Sequence, residues 1–120
     1  MAKRFVPALC DQMEVHLFHS LKKYRRFMRR YGVDSTPRYP DECDAFTSTI
    51  TRKGGFIAIV VDYFDGSTSQ RHALYAHEAT HVVQRFLSFI GEDSPGDEEE
   101  AYLVQGVTLA LIEMGEGHDG

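Results

Sequence analysis

The chain has 120 residues, enough for one domain with a core of its own. Hydrophobic residues make up 42% and charged residues 26%, which excludes a disordered, collagen-like or low-complexity chain. The net charge of −5 hides a gradient: residues 1–38 hold nine basic and three acidic side chains, residues 91–120 nine acidic and no basic ones, so the chain as a whole is no polyanion binder, though its first third could be one locally.

The longest apolar run, residues 56–61, is far short of the ~18 residues that cross a bilayer, so no membrane partner is expected. No apolar stretch follows the basic Met1-Ala2-Lys3-Arg4, so no secretion signal is expected. Cys10 and Cys43 can form at most one bridge, which argues for a reducing, cytoplasmic compartment.

In chain order, residues 8–31 read as one basic amphipathic helix within a 1–32 segment. Leu9, Met13, Leu17, Leu21, Tyr24, Met28 and Tyr31 recur at spacings of three and four. Gly32 suits its C-terminal cap. Residues 33–44, with Pro37 and Pro40, read as a loop. Residues 45–52 alternate and are rich in β-branched side chains, and residues 56–63 form a nearly continuous apolar strand, expected to be buried on both faces. Lys53-Gly54-Gly55 suggests a hairpin between them. A second helix is predicted over 69–90, ending at Gly91. A turn follows in which Ser94 caps and Pro95 opens a third helix, 95–114, with a frayed tail beyond it.

The chemistry lies in the second helix. His77-Glu78-Ala79-Thr80-His81 fits H-E-x-x-H, a pattern that chance gives about 0.02 times in a chain of this composition. On a helix, positions i and i+4 share a face, so both imidazoles can hold one zinc ion, and Glu78 stands beside it to take a proton from bound water. At 100° per residue, Tyr75, Ala79, Val82, Val83, Phe86 and Ile90 gather on one side and His77, His81, Gln84 and Ser88 nearly opposite, so the pair lies off the core face. The preceding strand could offer its edge to an extended peptide. A catalytic zinc needs a third protein ligand, and Asp97-Glu98-Glu99-Glu100 opens an otherwise apolar helix. The helix dipole alone also favours acids there.

YAHEATHVVQ followed by PGDEEEAYLVQ resembles the zincin-like metallopeptidases of the gluzincin type, and looks most like the short phage-encoded zincin-like proteins. The likeness covers about residues 56–112. It implies a small α+β domain of minimal zincin type, a single domain over 1–120, in the host cytoplasm if phage-encoded. It implies a peptide or protein substrate, Zn²⁺ as cofactor, Glu98 as third ligand and Tyr102 at the supporting position, where many relatives carry Asp or Asn. Glu100 is the alternative ligand. Glu78 acts as general base, with Tyr102 the best placed of Tyr63, Tyr75 and Tyr102 to donate to a developing oxyanion. From His81 to Gly91 the helix rises about 15 Å, whereas Glu98 lies only about 5 Å into the next helix. A simple antiparallel hairpin would leave the two at different levels, so residues 91–97 must run back or the helices must cross steeply.

Two rivals remain. One is a non-catalytic zinc-binding structural or regulatory protein, although a structural zinc more often has four ligands and includes Cys. The other is a nucleic-acid-binding adaptor using the basic run from Lys22 to Arg30. With no aromatic platform or nucleic-acid motif beside it, that run reads first as a solvated helix face near the acidic 92–100 segment, and a nucleic-acid partner is not expected. His16 and His19 read as surface histidines, and His72 lies off the metal face. No specificity pocket is visible, so a partner protein or a single protein substrate would have to supply specificity.

Overall fold

The structure, a computed structural model, describes residues 3–5, 12–33, 44–52, 55–91 and 96–118. Its elements are β1 (Lys3–Phe5), β2 (Met13–Phe18), α1 (Leu21–Arg29), β3 (Ala45–Arg52), β4 (Gly55–Asp62), α2 (Thr68–Phe89) and α3 (Asp97–His118). The strands form one mixed sheet in the order β1-β2-β4-β3. β1 runs antiparallel to β2, β2 parallel to β4, and β3 antiparallel to β4. This is a mixed α+β fold with a Cα radius of gyration of 13.8 Å.

Strand alternation sorts the core into two layers. Met13, Val15 and Leu17 of β2 and Phe56, Ala58 and Val60 of β4 pack under α2 and α3. Phe18, Ile57, Ile59 and Val61 point to the other face, where Tyr24, Phe27 and Met28 of α1 cover them. β4 is buried along nearly its whole length because it has a strand on each side and helices above and below. It is therefore an inner strand, and among the described residues the outer edge beside α2 belongs to β3. The expected edge role of residues 56–63 is corrected on that ground.

The larger correction concerns residues 8–31. Of the described residues in this segment, only Leu21–Arg29 is helical, and Met13–Phe18 is a strand. Met13, Leu17 and Leu21 are four apart, a spacing that both a helix face and one face of a strand satisfy. Val15, between the first two, joins them on the same face and decides for the strand. Ser20 caps α1 by accepting from the Lys23 backbone N–H at 3.3 Å. Gly32, at φ 67°, closes it: the Gly32 N–H donates to Arg29 O and the Val33 N–H to Met28 O, a Schellman pair.

α2 starts one residue earlier than expected, at a capping box in which the Ser67 hydroxyl takes the Gln70 N–H and the Gln70 side chain takes the Ser67 N–H. α3 continues four residues past 114, so residues 115–118 are helical rather than frayed. Residues 6–11, 34–43, 53–54 and 92–95 lie outside the described residues; with them go Cys10, Cys43, most of the hairpin turn and the expected Ser94-Pro95 cap. Among the described residues, no helix is long and apolar enough to cross a membrane.

Candidate metal and catalytic centre

α2 carries its apolar stripe of Tyr75, Ala79, Val82, Val83, Phe86 and Leu87 into the core. Ile90, expected on that stripe, is 45% exposed because the helix has already turned off beside Gly91. The histidines face away from the core, as expected, and the His77 side chain is 66% exposed. Their Nε2 atoms stand 3.2 Å apart and the rings meet edge to face. Two nitrogens bound tetrahedrally to one zinc at 2.0–2.1 Å lie about 3.3 Å apart. The contact is a ring-to-ring hydrogen bond, and its length is close to the separation that a shared ion would impose.

Glu78 is buried, at 4% exposure, although it follows an exposed histidine. One oxygen, Oε1, accepts a 2.6 Å hydrogen bond from the Thr47 hydroxyl of β3. The other, Oε2, lies 4.0 Å from His77 Nε2. A buried carboxylate needs a partner, and here the edge strand supplies it. Thr47 is opposite Val60 in the β3–β4 register, hence on the same face of the sheet as α2. The register of a hairpin between residues 45–52 and 56–63 would have found that face.

The Tyr63 N–H donates to Asp44 O, which fixes the bonding phase of the β3–β4 ladder. Residues 45, 47, 49 and 51 therefore turn their backbone N–H and C=O groups away from β4, towards the open edge. Arg85, one turn beyond His81, reaches that edge: its Nη1 donates to Thr47 O at 2.8 Å. His77, His81 and Arg85 form a row at spacings of four along α2, a signal present in the sequence but not used there.

The expected third ligand is not assembled. Among the described residues, neither Glu98 nor Glu100 joins the histidine pair in a group of three side chains able to hold a metal ion. Glu98 is exposed and Glu100 half-buried. A Cβ on Gly115 of α3 would meet the Tyr75 hydroxyl, so the end of α3 lies beside the start of α2 and the two helices run antiparallel. At 1.5 Å per residue the level of His81 falls near Leu109, about 16 Å along α3 from Glu98. The hairpin geometry that the sequence raised as an obstacle is the one adopted. Tyr102, expected as a donor, is 57% exposed.

The other tyrosines are accounted for. Tyr75 is buried and donates to Asp62 Oδ2 at 2.6 Å; Tyr63 packs against Phe46. Asp62, itself buried, also accepts from the Phe64 N–H and faces Arg71 Nε at 3.3 Å. His16, expected at the surface, is 7% exposed with its ring 4.5 Å from Phe27, whereas His19 is half-buried with its Nδ1 3.1 Å from Asp62 O. The strand assignment of Met13–Phe18 explains His16, whose position faces α1. His72 lines a small cavity with Arg71 and Glu116, away from the histidine pair.

No family model, curated protein or solved structure matches this chain.

Proposed function

We propose that this protein is a zinc-dependent peptidase. The reading rests chiefly on one observation: two imidazole nitrogens 3.2 Å apart on an exposed helix face, with a buried carboxylate held between them and the sheet. His77 and His81 would hold the ion, and Glu98, or Glu100 in its place, would become the third ligand only with α3 displaced from the level described above, because neither stands beside the pair here. Zinc, when bound, would lower the pKa of a water molecule and polarise the scissile carbonyl.

Glu78 takes the proton from the attacking water and passes it to the departing amine as the carbon–nitrogen bond breaks. The water oxygen forms the new bond to the carbonyl carbon. Thr47 spends its hydroxyl hydrogen on Oε1, which fixes the carboxylate and leaves Oε2 on the histidine side for this exchange. The outward groups of residues 45, 47 and 49 suit an extended peptide added beside β3. Such a peptide would take over Thr47 O from Arg85.

Metal analysis and a cleavage assay on a quenched fluorescent peptide library test the reading. The purified protein should bind one zinc ion, and Glu78→Gln should keep the metal and lose cleavage. His77→Ala and His81→Ala should each lose both. Loss of zinc by Glu98→Gln but not Glu100→Gln, or the reverse, identifies the third ligand. Stoichiometric zinc with no cleavage by the wild type would instead favour the non-catalytic zinc protein, and absence of zinc would overturn both.

A further inference from the structure

The six cations of the first helix fall on one side of it. At 100° per residue Lys22, Lys23, Arg25, Arg26, Arg29 and Arg30 span an arc of about 160°. Tyr24, Phe27 and Met28 occupy the opposite side and are buried on the sheet. All six cations are exposed. No acidic residue interrupts residues 20–33. Among the described residues, no ion pair engages any of the six.

The described acids of the 92–100 segment that the sequence suggested as this run's neighbour, Asp97 to Glu100, are on the other side of the sheet. α1 covers the Ile57–Ile59–Val61 face of the sheet, whereas α3, which begins with Asp97, Glu98, Glu99 and Glu100, packs on the Phe56–Ala58–Val60 face. The sheet lies between them. Arg52, at the end of β3, adds a seventh cation to the α1 side, its guanidinium 4.2 Å from the centre of the Tyr31 ring.

We infer that this face docks double-stranded DNA through its phosphate backbone, independently of base sequence. Four of the six helix cations are arginines, which suit phosphate. Lys22, Arg26 and Arg29–Arg30 follow at roughly one-turn intervals of about 5–6 Å, comparable with the distance between neighbouring phosphates on a strand. The apolar side of α1 is sealed against the sheet, so it cannot enter a lipid layer. The exposed arc has no aromatic or aliphatic side chain to centre a protein interface. It offers bases no stacking platform either, since Phe27 is buried and Tyr31 is half-buried under Arg52, which argues for a duplex over a single strand. The acidic α3 side repels the same polyanion and turns the α1 face towards it.

Fluorescence anisotropy with a labelled mixed-sequence duplex of about 20 base pairs tests this, on the full chain. The wild type should bind at about 50 mM salt, with log K falling against log salt at a slope of about −3 to −5, as expected for four or five neutralised phosphates. Lys22→Glu, Arg26→Glu and Arg29→Glu together should weaken binding by more than about a hundredfold with unchanged circular dichroism. Should that triple variant not fold, the three single reversals should each weaken binding by about three- to tenfold. Arg26→Lys with Arg29→Lys should bind within a few-fold of wild type. No binding by the wild type, equal binding by the charge-reversed protein, or equal competition by poly-glutamate or single-stranded DNA at matched charge would overturn the inference.

Discussion

Thr47 and Glu78 show how much a single hydroxyl can decide. The carboxylate is nearly inaccessible, yet it belongs to a helix whose adjacent residue is solvent-facing, and the Thr47 bond holds its orientation. Thr47→Val keeps the shape and removes the donor. It should leave zinc content unchanged and lower kcat about tenfold with little change in KM, read by steady-state kinetics on the peptide library. Asp62 is the second such residue, collecting the Tyr75 hydroxyl, the Phe64 N–H and the Arg71 guanidinium. Asp62→Ala strands those donors in the interior and should cost about 3 kcal/mol, measured by urea denaturation. His77, Glu78 and His81 were legible because H-E-x-x-H is a spacing rule within one helix. Thr47, Asp62 and Arg85 act across elements, and a spacing rule does not reach across a sheet.

At the scale of elements, the sequence succeeds where one period rules alone. β4 is apolar at every position from Phe56 to Val61, and only an inner strand covered on both faces meets that need. α2 is fixed within a residue at each end by an amphipathic stripe and a terminal Gly91 at φ 77°. Residues 13–18 fail because a four-residue repeat satisfies helix and strand alike, and the tie is broken by Val15 on the same face and by the lateral partners β1 and β4. The contact between α2 and α3 carries its own prediction. A methyl group at Gly115 would stand 2.7 Å from the Tyr75 hydroxyl and 3.2 Å from its ring. Tyr75 is 1% exposed and tied to Asp62, so moving it away strains that hydrogen bond. Glycine to alanine inside a helix ordinarily gains up to about 1 kcal/mol. Gly115→Ala should instead lose about 1–3 kcal/mol, read as a lowered thermal midpoint.

For the molecule as a whole, the fold class was within reach of the sequence, whereas the order of its layers was not. Hydrophobic patterning says that β4 is covered twice but not which helix covers which face. That assignment separates the acids of α3 from the cations of α1, and it leaves Glu98 at a different level from His81. The antiparallel α2–α3 pair predicts where metal should act: if α3 supplies the third ligand, zinc should slow amide hydrogen exchange in its first turns, Asp97 to Tyr102, as well as around His77 and His81. Protection confined to α2 would point to a ligand from elsewhere.

The parallel pairing of β2 with β4 also governs the timing of synthesis. Met13 sits opposite Phe56, so β2, already able to pair with β1, leaves the ribosome well before its partner on the other side, β4, exists. At about 5–20 residues per second the wait lasts a few seconds. Throughout that interval the Met13–Val15–Leu17 row lacks the β4, α2 and α3 side chains that cover it in the folded protein.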